Sequence, residues 1–266
     1  MNIIKFFDRI ELGNNHREAV LNMDFDAQEC KRLCELYRRN HKEFFEEVRK
    51  KEDFPLWFLW LYSSMACEVF VRYKEQGILE QIFWDTFRDI TLWCENAEKE
   101  YSVLGLMEYE WIFRHIDMVL FRFGRLQFEK MRMEASVVSE EKTIAEGMEV
   151  INIHIPQGES LIWEACEKSI ETAKKFWGAD KPYVCHSWLL FPGLDEVLSE
   201  NSNIREFRKH FKVLQVDYKE REAEWRIFGK VLKNVVEYPE DTSLQRRAKK
   251  YLLSGKSLGN GWAVLE

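Results

Sequence analysis

Residues 149–177 read EVINIHIPQGESLIWEACEKSIETAKKFW, and the period of the apolar residues changes within them. Val150, Ile151, Ile153 and Ile155, with Asn152 and His154 between most of them, follow a strand. Leu161, Ile162, Ala165, Cys166, Ser169, Ile170 and Ala173 recur at three and four, as one face of a helix does. Between the two stands Pro156-Gln157-Gly158-Glu159-Ser160. The proline ends the strand, the glycine permits a turn closed to other residues, and Ser160 is placed to cap the helix that follows. Strand, tight loop and helix start form an anion-binding arrangement, because backbone N–H groups converge there and the helix dipole adds about half a positive charge. The same residues also fit a βα unit with no guest.

Downstream, YVCHSWLLF at 183–191 is a near-continuous apolar run between Pro182 and Pro192, which predicts a strand buried on both faces and parallel to the Ile151 strand. Residues 194–211 predict a helix broken at 201–203. Residues 212–218 and 223–228 alternate like a hairpin, 244–253 form a last helix, and Gly259-Asn260-Gly261-Trp262 leads to a short terminal strand. Just upstream, Arg125, Gln127 and Glu129 alternate with Leu126, Phe128 and Lys130, giving a strand with a polar face to which 136–144 is expected to pair.

Residues 1–120 read as almost entirely helical. One amphipathic helix is expected over 28–50, and Asp53-Phe54-Pro55 starts a helix buried on most sides that Gly77 ends. Helical spacing returns from Ile78 to Cys94 and over 109–120. The fold class is therefore α+β, with a helical N-terminal domain (1–120) and a mixed α/β domain with a central twisted sheet (121–266). No flexible linker separates them, so the two are expected to pack on one another.

Hydrophobic residues at 46% and ten tryptophans exclude a disordered chain. A net charge of −7 argues against broad affinity for nucleic acid or acidic membrane surfaces, which need a basic face. The start, MNIIKFFDRIEL, carries charge from Lys5 onward and lacks a signal-peptide core, so a cytoplasmic location is expected. The longest uncharged apolar run, 54–67, is short for a membrane span, and no membrane segment is predicted. Six cysteines lack any C-x-x-C pairing and read as small buried hydrophobes, with no metal site indicated.

From residue 73 the order helix, helix, three strands, helix, strand, helix, two strands resembles the GNAT superfamily of N-acetyltransferases after its first strand. GRLQFE at 124–129, NIHIPQG at 152–158, SWLL at 187–190 and SNIREFRKHF at 202–211 resemble, more closely, a bacterial family of acyltransferase-like proteins. That family joins a helical N-acyltransferase N-terminal domain to a GNAT-like C-terminal domain. The resemblance implies an acyl-CoA-dependent N-acyltransferase, with acetyl-CoA the expected co-substrate and another acyl-CoA the variant. The acceptor would be a small-molecule or peptide amine attacking the thioester directly. A non-catalytic binding or assembly module on the same fold is the alternative, supported by a loop shorter than the superfamily's and with one glycine. Oligomeric state is left open.

The resemblance also implies site residues. Coenzyme A would place its diphosphate on the amides of Gln157, Gly158, Glu159, Ser160 and Leu161, with Ile153 and Ile155 on the strand that orients the acyl carbonyl. Glu159 puts negative charge beside that diphosphate unless it points away. Asn203 matches a position that contacts the pantetheine arm. His210, seven residues on, stands where many members have a tyrosine that protonates the leaving thiolate, and an imidazole can do the same. His154 or Glu129 is the candidate acceptor of the amine proton, with His186 on the neighbouring strand. A hydrogen-bonded histidine within a sheet is the plain alternative for each. Arg125, Gln127 and Glu129 fit either acceptor recognition or a buried polar network. Cys185 and His186 point to opposite faces and cannot readily pair. Arg246, Arg247, Lys249 and Lys250 read as a solvated helix face.

Overall fold

The computed structural model describes all 266 residues, which form two compact units, Met1–Arg122 and Phe123–Glu266. The N-terminal unit contains eight helices: α1 (Ile3–Arg9), α2 (Asn14–Leu21), α3 (Ala27–Arg39), α4 (His41–Arg49), α5 (Phe54–Glu75), α6 (Glu80–Phe87), α7 (Asp89–Tyr101) and α8 (Tyr109–Ile116). The single helix expected over 28–50 is two. Asn40 leaves the helical region at φ −157°, and its side chain accepts the Glu43 N–H to cap α4. Asp53 does precede α5, but in a left-handed conformation and without a side-chain cap.

Helix α5 has 22 residues, a length and composition that could by themselves cross a bilayer, and it runs well beyond the apolar stretch legible in the sequence. Its buried side chains serve a core. Phe58 stacks on Tyr109 at 4.0 Å, and the fully buried Tyr62 donates its hydroxyl proton to the Tyr109 carbonyl at 2.8 Å. Gly105 fits beneath the start of α5, where a Cβ would lie 2.4 Å from the Pro55 carbonyl carbon.

Strand β1 (Leu120–Phe123) carries the chain from one unit to the next. The C-terminal unit then adds β2 (Leu126–Arg132), β3 (Val137–Val138), β4 (Thr143–Ile144), β5 (Glu149–His154), α9 (Trp163–Trp177), β6 (Tyr183–Ser187), α10 (Asn203–Arg208), β7 (Phe211–Asp217), α11 (Glu222–Phe228), α12 (Ser243–Leu253) and β8 (Asn260–Leu265). Five of these strands lie in the order β2-β5-β6-β8-β7, and β5 and β6 are the one parallel pair among them. The predicted adjacency of the Ile151 and Tyr183 strands is thus present.

Four local expectations are corrected. Strands β3 and β4 pair with each other, not with β2, which pairs with β5. Residues 223–228 are helical, because Glu224 is held by Arg221 and by the Tyr238 hydroxyl, contacts a strand would aim elsewhere. The run 183–191 stays extended only to Ser187 and then winds into a 3-10 turn, Trp188–Leu190. The basic cluster on α12 is not wholly solvated: Lys249 is buried, donating to the Tyr238 carbonyl at 2.8 Å and pairing with Glu240 at 2.7 Å. Of the cysteines, Cys94, Cys166 and Cys185 are buried and the other three half-buried.

The two faces of the sheet are covered differently. Alternation along β2 puts Phe128 on one face and Glu129 on the other. Helix α9 covers the Phe128 face, with Trp177 6.4 Å from the Phe128 ring. On the opposite face the β3–β4 hairpin contributes Val137 and Ile144 to an apolar cluster with Val150, Val184, Leu214 and Val264.

Candidate active site

The parallel pairing of β5 with β6 is short. Ile151 lies opposite Tyr183 and Asn152 opposite Val184, and there the pairing stops, although β5 continues to His154 and β6 to Ser187. The upper part of β6 is paired only on its other side, His186 with Trp262 and Ser187 with Gly261 of β8. Gly261 explains the direction of that departure. A Cβ there would lie 2.6 Å from the Leu190 carbonyl oxygen, so only glycine lets the 3-10 turn after β6 settle onto β8 and away from β5. The facing edges of β5 and β6 are therefore unpaired toward their C-terminal ends, which leaves a gap in the hydrogen bonding of the sheet. The Ile151 N–H donates toward β6, to Pro182 at 2.9 Å, so backbone alternation puts the Ile153 carbonyl and the Ile155 N–H on the edge facing the gap.

Beyond the gap-facing edge comes the loop 156–161. Its helix does not begin at Ser160: the N-cap of α9 is Ile162, with no side-chain cap. The expectation of a serine cap is corrected, and the reason is that Ser160 Oγ is engaged elsewhere, accepting from the Asn203 carboxamide at 2.9 Å. The loop is shaped instead by Arg125, a residue of the β1–β2 turn and not of strand β2. Its guanidinium donates to three loop carbonyls, Pro156 (2.9 Å), Glu159 (2.8 Å) and Ser160 (3.0 Å), and the side chain is buried. In a trans peptide the N–H points opposite to the C=O. No peptide bond here is cis, so the N–H groups of Gln157, Ser160 and Leu161 are turned away from Arg125. Gly158 adopts φ +94°, open to glycine and strained for other residues.

On the face of the sheet opposite α9, β2 and β5 bring Glu129 and His154 together. The His154 Nε2 lies 2.8 Å from Glu129 Oε2 and 3.3 Å from the Asn152 carboxamide nitrogen. Beside an ionised carboxylate Nε2 is the protonated nitrogen, so it donates to Glu129 and the amide contact is not a hydrogen bond. His186 shares this face across the gap. Its ring stacks on Trp262 at 4.5 Å, its Nε2 is buried without a partner, and burial pulls its pKa below the usual histidine value.

His210 belongs to the other side. It is not on the same helix face as Asn203, as the spacing predicted, because α10 ends at Arg208 and His210 lies in the turn before β7. Its ring lies flat on Trp163, the first residue of α9, with centroids 3.4 Å apart and planes within 2°. Glu206 Oε1 is 3.8 Å from Nε2, beyond hydrogen-bonding distance. The candidate residues therefore form two groups: Gln157–Leu161, Asn203, Trp163 and His210 on the α9 side, and Glu129, His154 and His186 on the other. The gap lies between β5, which carries His154, and β6, which carries His186.

Sequence reasoning missed Trp163, Trp262 and the role of Arg125. The Gly124-Arg125 turn was the one available signal for Arg125. Gly124 takes φ +60°, which starts the strand one residue later than the alternation suggested.

Residues 1–118 match the model of an N-acyltransferase N-terminal domain and residues 120–265 that of a GNAT-like C-terminal domain. The chain belongs to the family that joins these two domains. Among solved structures it is similar to an acyltransferase in complex with decanoyl-CoA, at 19% identity and a TM-score of 0.78 over 99% of this chain and 87% of that one. It is similar at 19% identity to an acyltransferase bound to decanoyl-CoA and teicoplanin, TM-score 0.76, over 98% and 87% of the chains. A complex with CoA and 10C-teicoplanin gives 0.74 at the same identity and coverage. No curated protein matches the chain.

Proposed function

We propose that the protein is an acyl-CoA-dependent N-acyltransferase whose co-substrate threads the gap between β5 and β6. The observation that carries this reading is the pairing that stops after Asn152 and Val184 while both strands run on, beside a loop whose amides are turned outward. The diphosphate of the coenzyme sits on the amides of Gln157 to Leu161, with Asn203 bracing Ser160. The thioester carbonyl accepts from the Ile155 N–H at the gap, which stabilises the oxyanion as the carbonyl is attacked. The acceptor amine approaches from the Glu129–His154 face. Its nitrogen forms the new bond to the acyl carbon, its proton passes to His154, and the carbon–sulfur bond breaks. The thiolate leaves on the α9 side, where His210 supplies a proton. Glu129 keeps Nε2 protonated, which directs the other ring nitrogen to act as base.

A small-molecule amine is the acceptor class, supported by the teicoplanin in a structural neighbour. The decanoyl-CoA in the same neighbours makes medium-chain thioesters the donors to compare first with acetyl-CoA. The test combines calorimetry with CoA, acetyl-CoA and decanoyl-CoA with a thiol-release screen of pooled amines. Saturable binding with amine-dependent thiol release is expected. Absence of heat with all three at millimolar concentration would overturn the proposal in favour of a non-catalytic module.

A further inference from the structure

The loop that would receive the diphosphate is short and open to solvent. It has one glycine, no side-chain helix cap, and Glu159, Gly158 and Gln157 are exposed to solvent. Each of its turned carbonyls is instead met from outside, by one buried side chain. We propose that Arg125 is the positioning residue for the coenzyme diphosphate: its guanidinium fixes the Pro156, Glu159 and Ser160 carbonyls and so aims the opposed N–H groups at the phosphates. This rests on the acyl-CoA reading above.

Three features of the geometry support the assignment. The three bonds, 2.8–3.0 Å, come from three different nitrogens of one planar fork, Nε, Nη1 and Nη2, so the carbonyls are fixed relative to one another as well as to the sheet. The backbone of Arg125 is itself anchored, its N–H donating at 3.0 Å to Ser169 Oγ in α9, the helix that follows the loop. The arginine also brings a buried positive charge beneath a loop that carries Glu159, offsetting the repulsion that this carboxylate would exert on an anion. An ammonium in the same place is a single compact charge that cannot span three carbonyls.

The test uses the full chain with Arg125→Lys and Arg125→Met. Each is assayed with acyl-CoA and with the matching acyl-pantetheine, which has the thioester and the arm but no diphosphate. A tenfold or greater rise in KM for acyl-CoA is expected in both variants, with kcat at saturation and turnover of acyl-pantetheine within twofold of the unmodified protein. Arg125→Lys keeps the charge and the apolar stem, so it is read first if Arg125→Met fails to fold. Unchanged CoA affinity in folded Arg125→Lys overturns the assignment. So does a matched loss for acyl-CoA and acyl-pantetheine, which would mean that Arg125 supports the sheet and not the diphosphate loop. An unmodified protein that binds no CoA overturns the acyl-CoA reading itself, and this assignment with it.

Discussion

Glu129 and His154 owe their meeting to strand register. In the antiparallel pair β2–β5, Glu129 faces Asn152 and Gln127 faces His154, so the Glu129 carboxylate reaches His154 diagonally along one face. Replacing His154 with alanine is expected to reduce kcat by about 10²–10⁴-fold, the usual worth of a positioned general base, with KM for acyl-CoA nearly unchanged. Glu129→Gln keeps the shape and loses the charge, so a smaller fall in kcat is expected, and a pH–rate profile of both variants separates the two roles. His210→Ala removes the ring that lies flat on Trp163 and is expected to lower turnover while calorimetry shows CoA affinity intact. Full turnover in that variant would make His210 a packing partner of Trp163 only. His154 was legible as a candidate on the strand that ends at the period change, and His210 through the resemblance of 202–211 to the acyltransferase-like family. Their partners were not, since a stack between Trp163 and His210 joins residues 47 apart whose proximity no local pattern encodes.

Among the elements, the gap depends on where strands stop. Pro156 and Gly158 announced the end of β5, but nothing in YVCHSWLLF announced that β6 ends at Ser187, because Trp188, Leu189 and Leu190 suit a buried strand as well as a 3-10 turn. The signal lay 74 residues on, in the Gly261 that admits the Leu190 backbone. Residues 223–228 failed for a related reason: six residues are too few to separate period 2 from period 3.6, and tertiary partners for Glu224 decided the outcome. The loop gives the prediction at this scale. Gly158 has open space where a Cβ would go, so Gly158→Ala is resisted by φ alone, at a cost on the order of 1–3 kcal/mol. The variant is expected to fold normally and to bind CoA more weakly, by about tenfold if about 1.4 kcal/mol of that strain is relieved by moving the amides. Unaltered affinity would show that the loop amides are not the binding groups.

At the scale of the whole molecule, the α+β division and the mixed sheet were legible from composition and period, since helical spacing dominates the first half and alternation the second. The buried polar groups that set pH sensitivity were not. His16 is one of them: it is buried in the N-terminal unit, its Nδ1 accepts the Gly105 N–H at 3.0 Å, and burial pulls its pKa down although Glu98 pulls the other way. The unfolded chain therefore takes up a proton before the folded one. Stability is unaffected above the unfolded value near 6.5 and falls as pH drops below it, until the folded imidazole is itself protonated. Urea unfolding at pH 7.5 and 5.5 is expected to show lower stability at the acid value, and His16→Gln, which keeps an acceptor and does not titrate, is expected to lose less. An undiminished acid loss in the variant would assign the effect to other groups.

The claim on which the rest depends is that a CoA diphosphate sits on the loop after β5, and amide hydrogen exchange across 150–166 with and without CoA addresses it directly. Protection is predicted to concentrate at the amides of Ile155 and of Gln157 to Leu161, and to be weaker in Gly158→Ala. Saturating CoA that leaves those amides exchanging as before, or that protects a different part of the chain, would contradict the account.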